Sequence, residues 1–211
     1  IAEVAPAFVG QFGGKGNVDK LREAFKQLGF SGMEEVALGA DLCTIQESED
    51  FLEEVPEKIP FMGTSCCPAW SVMAKKEFPK NADCISMALT PMTLTARLIR
   101  KQHPNAKIVF VGPCSAKKLE AMRESVRSEV DFVLTFEEMA GMMSAKEIDY
   151  TKLAGEGGDF DVASADGRGF AVAGGVATAV ANAIHKRYPE REVKVANAEG
   201  LDECRKLMKD A

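Results

Sequence analysis

The chain has 211 residues, 46% of them hydrophobic and 27% charged, and a formal net charge of −6. That size fits one compact domain or two small lobes with a substantial core. The acidic balance argues against a nucleic-acid partner, because basic clusters such as Lys117-Lys118 and His185-Lys186-Arg187 are short.

Residues 4–9 open the chain as an apolar strand. Asn17 is placed to cap a helix that carries Val18, Leu21, Phe25 and Leu28 on one face and stops at Gly29. A second strand is expected at 35–38, and the acidic run 47–57 as the solvated face of a helix. Strands follow at 59–63 and 85–89. Thr90-Pro91 then supplies an N-cap and a proline at the first helical position. Strands at 107–111 and 132–135 come next, the latter running into the capping box Thr135-Phe136-Glu137-Glu138 ahead of Met139, Met142 and Met143. Those methionines read as core filler. Residues 155–169, rich in Gly and Asp, are expected as a long loop. Residues 170–173 form a strand that Gly174-Gly175 turns into an Ala-rich helix over 176–187, and 192–196 make a last strand. Such alternation argues an α/β fold with mainly parallel sheets flanked by helices. The longest uncharged stretch, 170–184, is too short and too weakly apolar for a membrane span. No secretory leader is visible, so a cytoplasmic setting is expected.

The chemistry concentrates at three strand ends, where open α/β sheets gather their sites. The first is Thr64-Ser65-Cys66-Cys67-Pro68-Ala69-Trp70, which holds the chain's one tryptophan. Adjacent cysteines rarely bridge to each other. Two thiols opening a helix point to a reactive or metal-binding site, because a helix N-terminus favours thiolate. The second is Gly112-Pro113-Cys114-Ser115-Ala116-Lys117-Lys118-Leu119-Glu120, where Lys117 lies one turn beyond Cys114 and can reach an anionic ligand. The third is Ala173-Gly174-Gly175-Val176, whose glycines let backbone N–H groups approach a bound group. A plainer reading stands beside each: core thiols at 66, 67 and 114, a surface ion pair Lys117–Glu120, and glycines that serve only strand–helix packing. The remaining cysteines, Cys43, Cys84 and Cys204, read as structural. Six cysteines in this arrangement are no secreted disulfide framework. The absence of C-x-x-C weakens a zinc-ribbon or thioredoxin reading. Neither His103 nor His185 is placed to serve a cysteine hydrolase.

The segment 64–70 resembles the first H-cluster signature of [FeFe]-hydrogenases, T-S-C-C-P-x-W, and 112–120 resembles the second, P-C-x-x-K-x-x-E. Val4-Ala5-Pro6-Ala7 and Gly174-Gly175-Val176 are also similar to this family, and the likeness covers essentially the whole chain. It implies a two-lobed catalytic domain, with lobes roughly 1–80 and 81–211 and an active-site cleft between them. The implied cofactor is a [4Fe-4S] cluster joined to a di-iron subcluster. The implied reaction is reversible hydrogen oxidation and proton reduction, with ferredoxin or another electron carrier as partner. By this resemblance Cys67 and Cys114 are metal ligands and Cys66 passes protons. Pro6, Ala7, Pro113, Lys117, Gly174 and Gly175 border the cofactor, and Ser86 and Glu47 belong to the proton path. Three departures go with it. Ser48 takes a position expected to be acidic. Gly112 stands where many members carry Met, and the family's third signature, C-x-x-x-C, is expected beyond residue 211. The stretch by itself is therefore expected to lack a competent H-cluster. The competing readings are a hydrogenase-like hydrogen sensor or iron–sulfur assembly protein without turnover, and a plain thiol redox or metal-binding module.

Overall fold

The computed structural model of the protein describes residues 1–11, 17–155 and 163–211. Four short strands, β1 (Ala2–Val4), β2 (Met33–Glu35), β3 (Val109–Gly112) and β4 (Phe132–Thr135), form one parallel sheet in the order β2-β1-β3-β4. Val4 lies in register with Glu35 on one side and Val111 on the other, and Gly112 with Thr135. Parallel pairing needs crossovers, and helices supply them: α1 (Val18–Leu28), α2 (Ala37–Glu54), α3 (Pro68–Glu77), α4 (Pro91–Gln102), α5 (Ala116–Ala121) and α6 (Phe136–Ala145). After these come α7 (Ala165–Gly169), α8 (Gly175–Arg187) and α9 (Gly200–Asp210). The α/β architecture with a parallel sheet and flanking helices is thus as expected. The sheet takes β1 and β2 from one side of residue 80 and β3 and β4 from the other, so it runs across the expected lobe boundary.

The local signals held where the chemistry was local. Asn17 Oδ1 accepts from the N–H groups of Asp19 (2.9 Å) and Lys20 (3.1 Å), and Gly29 ends α1 with φ of 100°. Leu21 and Phe25 of α1 then meet Phe136 and Met139 of α6 in the main core. Thr135 and Glu138 form the capping box reciprocally, and Thr90 caps α4 above Pro91.

Several strand expectations are corrected. The first strand ends at Val4, because Pro6 starts a 3₁₀ turn over Pro6–Gly10. The second is shifted two residues earlier, and Ala37 already belongs to α2. The expected strands at 59–63 and 85–89 shrink to one parallel bridge, Gly63 with Ile85. Residues 170–173 form turns, and 192–196 are irregular. Part of the expected loop 155–169 lies outside the described residues, and its end is helical as α7. The run 47–57 is not wholly a solvated face, since Glu47 and Ser48 are buried.

Candidate functional site

Helix α2 packs on α4 at close range because residue 39 has no side chain. A Cβ there would overlap the Pro91 carbonyl oxygen and Thr95 Oγ1, and would lie 3.1 Å from the Pro91 carbonyl carbon. The packing presents Ala40, Cys43, Thr44, Glu47 and Ser48 inward, at the i, i+3, i+4, i+7, i+8 spacing of one helical face. Glu47 is 0% exposed. Its Oε1 accepts from the Ser65 N–H at 3.4 Å, and its carboxyl is also hydrogen-bonded by the Ser86 side chain. Its Oε2 has no partner among the described residues. Burial pushes the Glu47 carboxyl up to about 7, against the pull of those two hydrogen bonds. Ser86 reaches this place through the bridge at Gly63: Gly63 N–H donates to the Cys84 carbonyl (2.7 Å), and Ser86 N–H donates to the Gly63 carbonyl (2.9 Å). A cavity of about 670 Å³ opens beside Ser86, lined by Gln46, Asp50 and Glu54 of α2.

The cysteine pair is held by its neighbours. Cys67 is the N-cap residue of α3 and Pro68 its first residue. Trp70 Nε1–H donates to the Thr64 carbonyl at 2.8 Å, which folds the segment back on itself. The sequence argument favoured thiolate at this helix start. At Cys66 burial wins instead and pushes the thiol up to about 12, with Lys117 pulling the other way and Glu47 adding to the rise. Cys66 is therefore a protonated thiol at neutral pH. Cys67 is exposed.

The second motif follows β3 directly. Cys114 Sγ accepts from the Ala116 N–H at 3.4 Å, and α5 starts at Ala116. Gly112 has a local reason: a Cβ there would lie 2.5 Å from the Phe110 ring and 3.4 Å from Ala5 Cβ. Lys117 is no surface residue. Its Nζ donates to the Cys66 carbonyl (2.9 Å) and to Glu120 Oε2 (2.7 Å), and Glu120 in turn accepts from Thr90 Oγ1. With 13% and 4% of their side chains exposed, Lys117 and Glu120 form a largely buried ion pair. Lys117 thus ties the two cysteine motifs together, and α3 packs against α5 beside it. Pro6 and Ala7 lie at the carboxyl end of β1, next to this junction, where the Ala5 N–H donates to the Val111 carbonyl (2.9 Å).

Gly174 has φ of 76° and a Cβ there would lie 2.6 Å from Asn197, while one on Gly175 would overlap the Gly169 carbonyl oxygen. Both glycines are closely packed within the chain, and α8 lies on α2 and α7. Cys43 is buried on α2, close enough to Cys66 and Glu47 to feel their charge, and burial pushes its thiol upward. Sequence reasoning missed one group altogether: Glu3, in the middle of β1, is 0% exposed and neither of its carboxyl oxygens has a partner among the described residues.

Among the described residues no three or more His, Cys, Asp or Glu side chains converge to hold a metal ion. Cys67 and Cys114, from two helix starts, fit as two thiolate ligands of an iron–sulfur cluster, whose donors are cysteines.

The chain belongs to the family described as iron only hydrogenase large subunit, C-terminal domain, whose model matches residues 1–211. It is 30% identical over 172 residues to Iron hydrogenase 1 of Clostridium pasteurianum, a match over 74% of this chain and 30% of that protein. It is 32% identical over 142 residues to the Cytosolic Fe-S cluster assembly factor NAR1 of Debaryomyces hansenii, over 59% of this chain and 26% of the relative. Among solved structures, apo [FeFe]-hydrogenase HydA1 from Chlamydomonas reinhardtii superposes with a TM-score of 0.70 at 25% identity, over 95% of this chain and 57% of that one. The chain therefore spans under a third of those two curated relatives. No helix among the described residues is long and apolar enough to cross a membrane.

Proposed function

We propose that this domain houses the catalytic site of an [FeFe]-hydrogenase and takes part in the reversible interconversion of hydrogen with protons and electrons. The observation that carries the reading is the Lys117 ammonium, bonded to the Cys66 carbonyl and to Glu120, which joins the two cysteine motifs into one site. Cys67 and Cys114 would hold the cubane of the H-cluster, together with donors that the described residues do not supply. When bound, the cluster supplies the electrons and the iron centre at which hydrogen is made or split.

The chain's own residues do the rest. Cys66 keeps its proton near neutral pH and can hand it over at its Sγ. Glu47, buried beside it and titrating near neutrality, is matched to receiving and returning a proton. Ser86 bonds Glu47 on one side and borders the 670 Å³ cavity on the other, so it links the buried acid to solvent. Glu47 thereby takes over the acidic role that Ser48 cannot fill. Lys117, with Pro6, Ala7 and Pro113 nearby, orients anionic ligands of the cofactor. Gly174 and Gly175 contribute through the packing of α8. Electrons would come from ferredoxin or a similar carrier.

A second reading has an observation of its own. The likeness to NAR1 allows an iron–sulfur assembly role without turnover. Maturing the full-length chain with its cluster and following H/D exchange between hydrogen and D2O separates the two. Exchange supports the hydrogenase reading. A loaded cluster without exchange supports the assembly role.

A further inference from the structure

Thr90 does two things with one hydroxyl. Its Oγ1 accepts from the Thr93 N–H at 3.5 Å, which caps α4. Its single proton goes to Glu120 Oε1, since Thr93 Oγ1 stands farther off at 3.4 Å. Thr90 is itself held in place. Its carbonyl accepts from the Leu94 N–H (3.0 Å), and the next residue, Pro91, lies hard against Gly39 of α2. Glu120 is 3% exposed, so water does not stand in for that donor, and its other oxygen accepts from Lys117 Nζ at 2.7 Å. An unbroken line of hydrogen bonds therefore runs from the start of α4 through Glu120 and Lys117 to the Cys66 carbonyl, 2.9 Å from Lys117 Nζ. It joins α4, α5 and the first cysteine motif.

We propose that Thr90 is a positioning residue for Lys117: its hydroxyl fixes the Glu120 carboxylate, and that carboxylate, with the Cys66 carbonyl, sets where the Lys117 ammonium stands. A lysine carries a compact charge on a flexible stem, so the charge goes where its acceptors hold it. A carboxylate bound at one oxygen only can still turn about its last torsion, which is broad and two-fold. With Thr90 on Oε1 and Lys117 on Oε2, each oxygen of Glu120 has a donor from a different helix, and the plane of the group is set. Without the Thr90 hydroxyl, Oε1 would be a buried carboxylate oxygen lacking that donor, and the Lys117–Glu120 pair would open more often. The ammonium has three N–H groups, and Glu120 and the Cys66 carbonyl take two of them. The third is left for the anionic ligand assigned to Lys117 above. The consequence for turnover thus rests on the hydrogenase reading, whereas the placement of Lys117 by Thr90 does not.

The test compares Thr90→Ser, which keeps the hydroxyl, with Thr90→Gly, which caps a helix about as well as threonine but donates nothing. The full-length chain without its cluster is labelled with 15N-lysine. Exchange of the Lys117 ammonium protons with water is followed by NMR, the signal being assigned with Lys117→Arg. Exchange in Thr90→Ser should match wild type. In Thr90→Gly it should be about tenfold faster or more, the factor that corresponds to losing one hydrogen bond to a charged group. A role confined to capping α4 would leave Thr90→Gly like wild type, and that result overturns the proposal. If Thr90→Gly does not fold, Thr90→Val takes its place: faster Lys117 exchange supports the proposal, and unchanged Lys117 exchange despite the lost hydroxyl refutes it. In the matured chain Thr90→Gly should keep its iron and lose several-fold in hydrogen evolution, while Thr90→Ser should lose neither. Unchanged hydrogen evolution in Thr90→Gly would also overturn the proposal. A matured wild type that loads its cluster and never turns over hydrogen would fail the hydrogenase reading and leave the exchange result standing.

Discussion

Glu47 couples the stability of the domain to pH, and Glu47→Gln isolates the effect. The carboxyl is 0% exposed, its Oε2 has no partner among the described residues, and burial pushes its folded-state pKa up to about 7 from an ordinary value of 4.5. The folded chain therefore holds a proton that the unfolded chain releases between those two values. Below pH 4.5 both states bind it and the contribution of Glu47 is complete. As pH rises through 7 the contribution is lost, because stability falls with pH wherever the folded state binds more protons. A gap of about 2.5 pH units at about 1.4 kcal/mol per unit is on the order of 3 kcal/mol. Glutamine has the shape of the neutral acid and its amide oxygen can accept from Ser65 and Ser86, so the variant should lie within about 1 kcal/mol of wild type at low pH. Urea unfolding of both proteins across the window gives the difference. Wild-type stability relative to Glu47→Gln should decline by roughly 3 kcal/mol, with a steepest slope of about 1.4 kcal/mol per pH unit. A difference that stays flat, or that grows with pH, would refute the burial argument, because it would mean that Glu47 is solvated or stabilised as the carboxylate.

Three further outcomes are expected. Gly39→Ala gains helix propensity but drives a methyl into the Pro91 carbonyl and Thr95, so thermal unfolding should show a net loss of about 1–3 kcal/mol. In the full-length, matured protein Cys66→Ala should keep its iron and lose about 10²–10⁴-fold in hydrogen evolution. Cys66→Asp should recover part of that turnover, and Cys67→Ala should lose the iron itself. Normal turnover in Cys66→Ala, or iron loss equal to that of Cys67→Ala, would remove the division of labour between the neighbours. Residues 1–211 expressed by themselves and purified in air should carry well under one cubane per chain, read as iron content and visible absorption, since two thiols stand where a cubane takes four.

The parts of the fold that were legible are those whose cause lies within a few residues. Asn17 caps α1 with its own side chain, Gly29 stops it in the left-handed region, and Thr135 and Glu138 close their box across three positions. Such signals do not depend on what the rest of the chain does. The strands at 59–63 and 85–89 failed for the opposite reason. Their apolar composition suits a sheet, but a strand exists only when a partner pairs along it, and here pairing stops after the Gly63–Ile85 bridge. The run at 192–196 alternates suitably, yet nothing among the described residues pairs with it.

The site divides along the same line. Cys66, Cys67, Cys114 and Lys117 could be found because residue type and spacing carry their meaning directly. Glu3 and Glu47 could not be found that way, and only the family resemblance pointed to Glu47. Glu47 sits in an acidic run, and counting charges made it part of a wet face. Reading the same stretch at the helical period groups it with Ala40, Cys43 and Thr44, whose small side chains mark the buried face. Glu3 carried a comparable clue, a lone carboxylate between the apolar Ala2 and Val4 at the start of a strand. In both cases the acid follows the face that its apolar neighbours choose, and burial then sets its protonation. Cys66 obeys the same order of magnitudes. The dipole of the α3 N-terminus favours thiolate by a modest amount that solvent screens. Loss of water around the sulfur opposes it more strongly, and the thiol keeps its proton. A charge-bearing residue in this family of sites is thus better judged first by what surrounds it on its helix or strand face, and only then by the helix end it stands on.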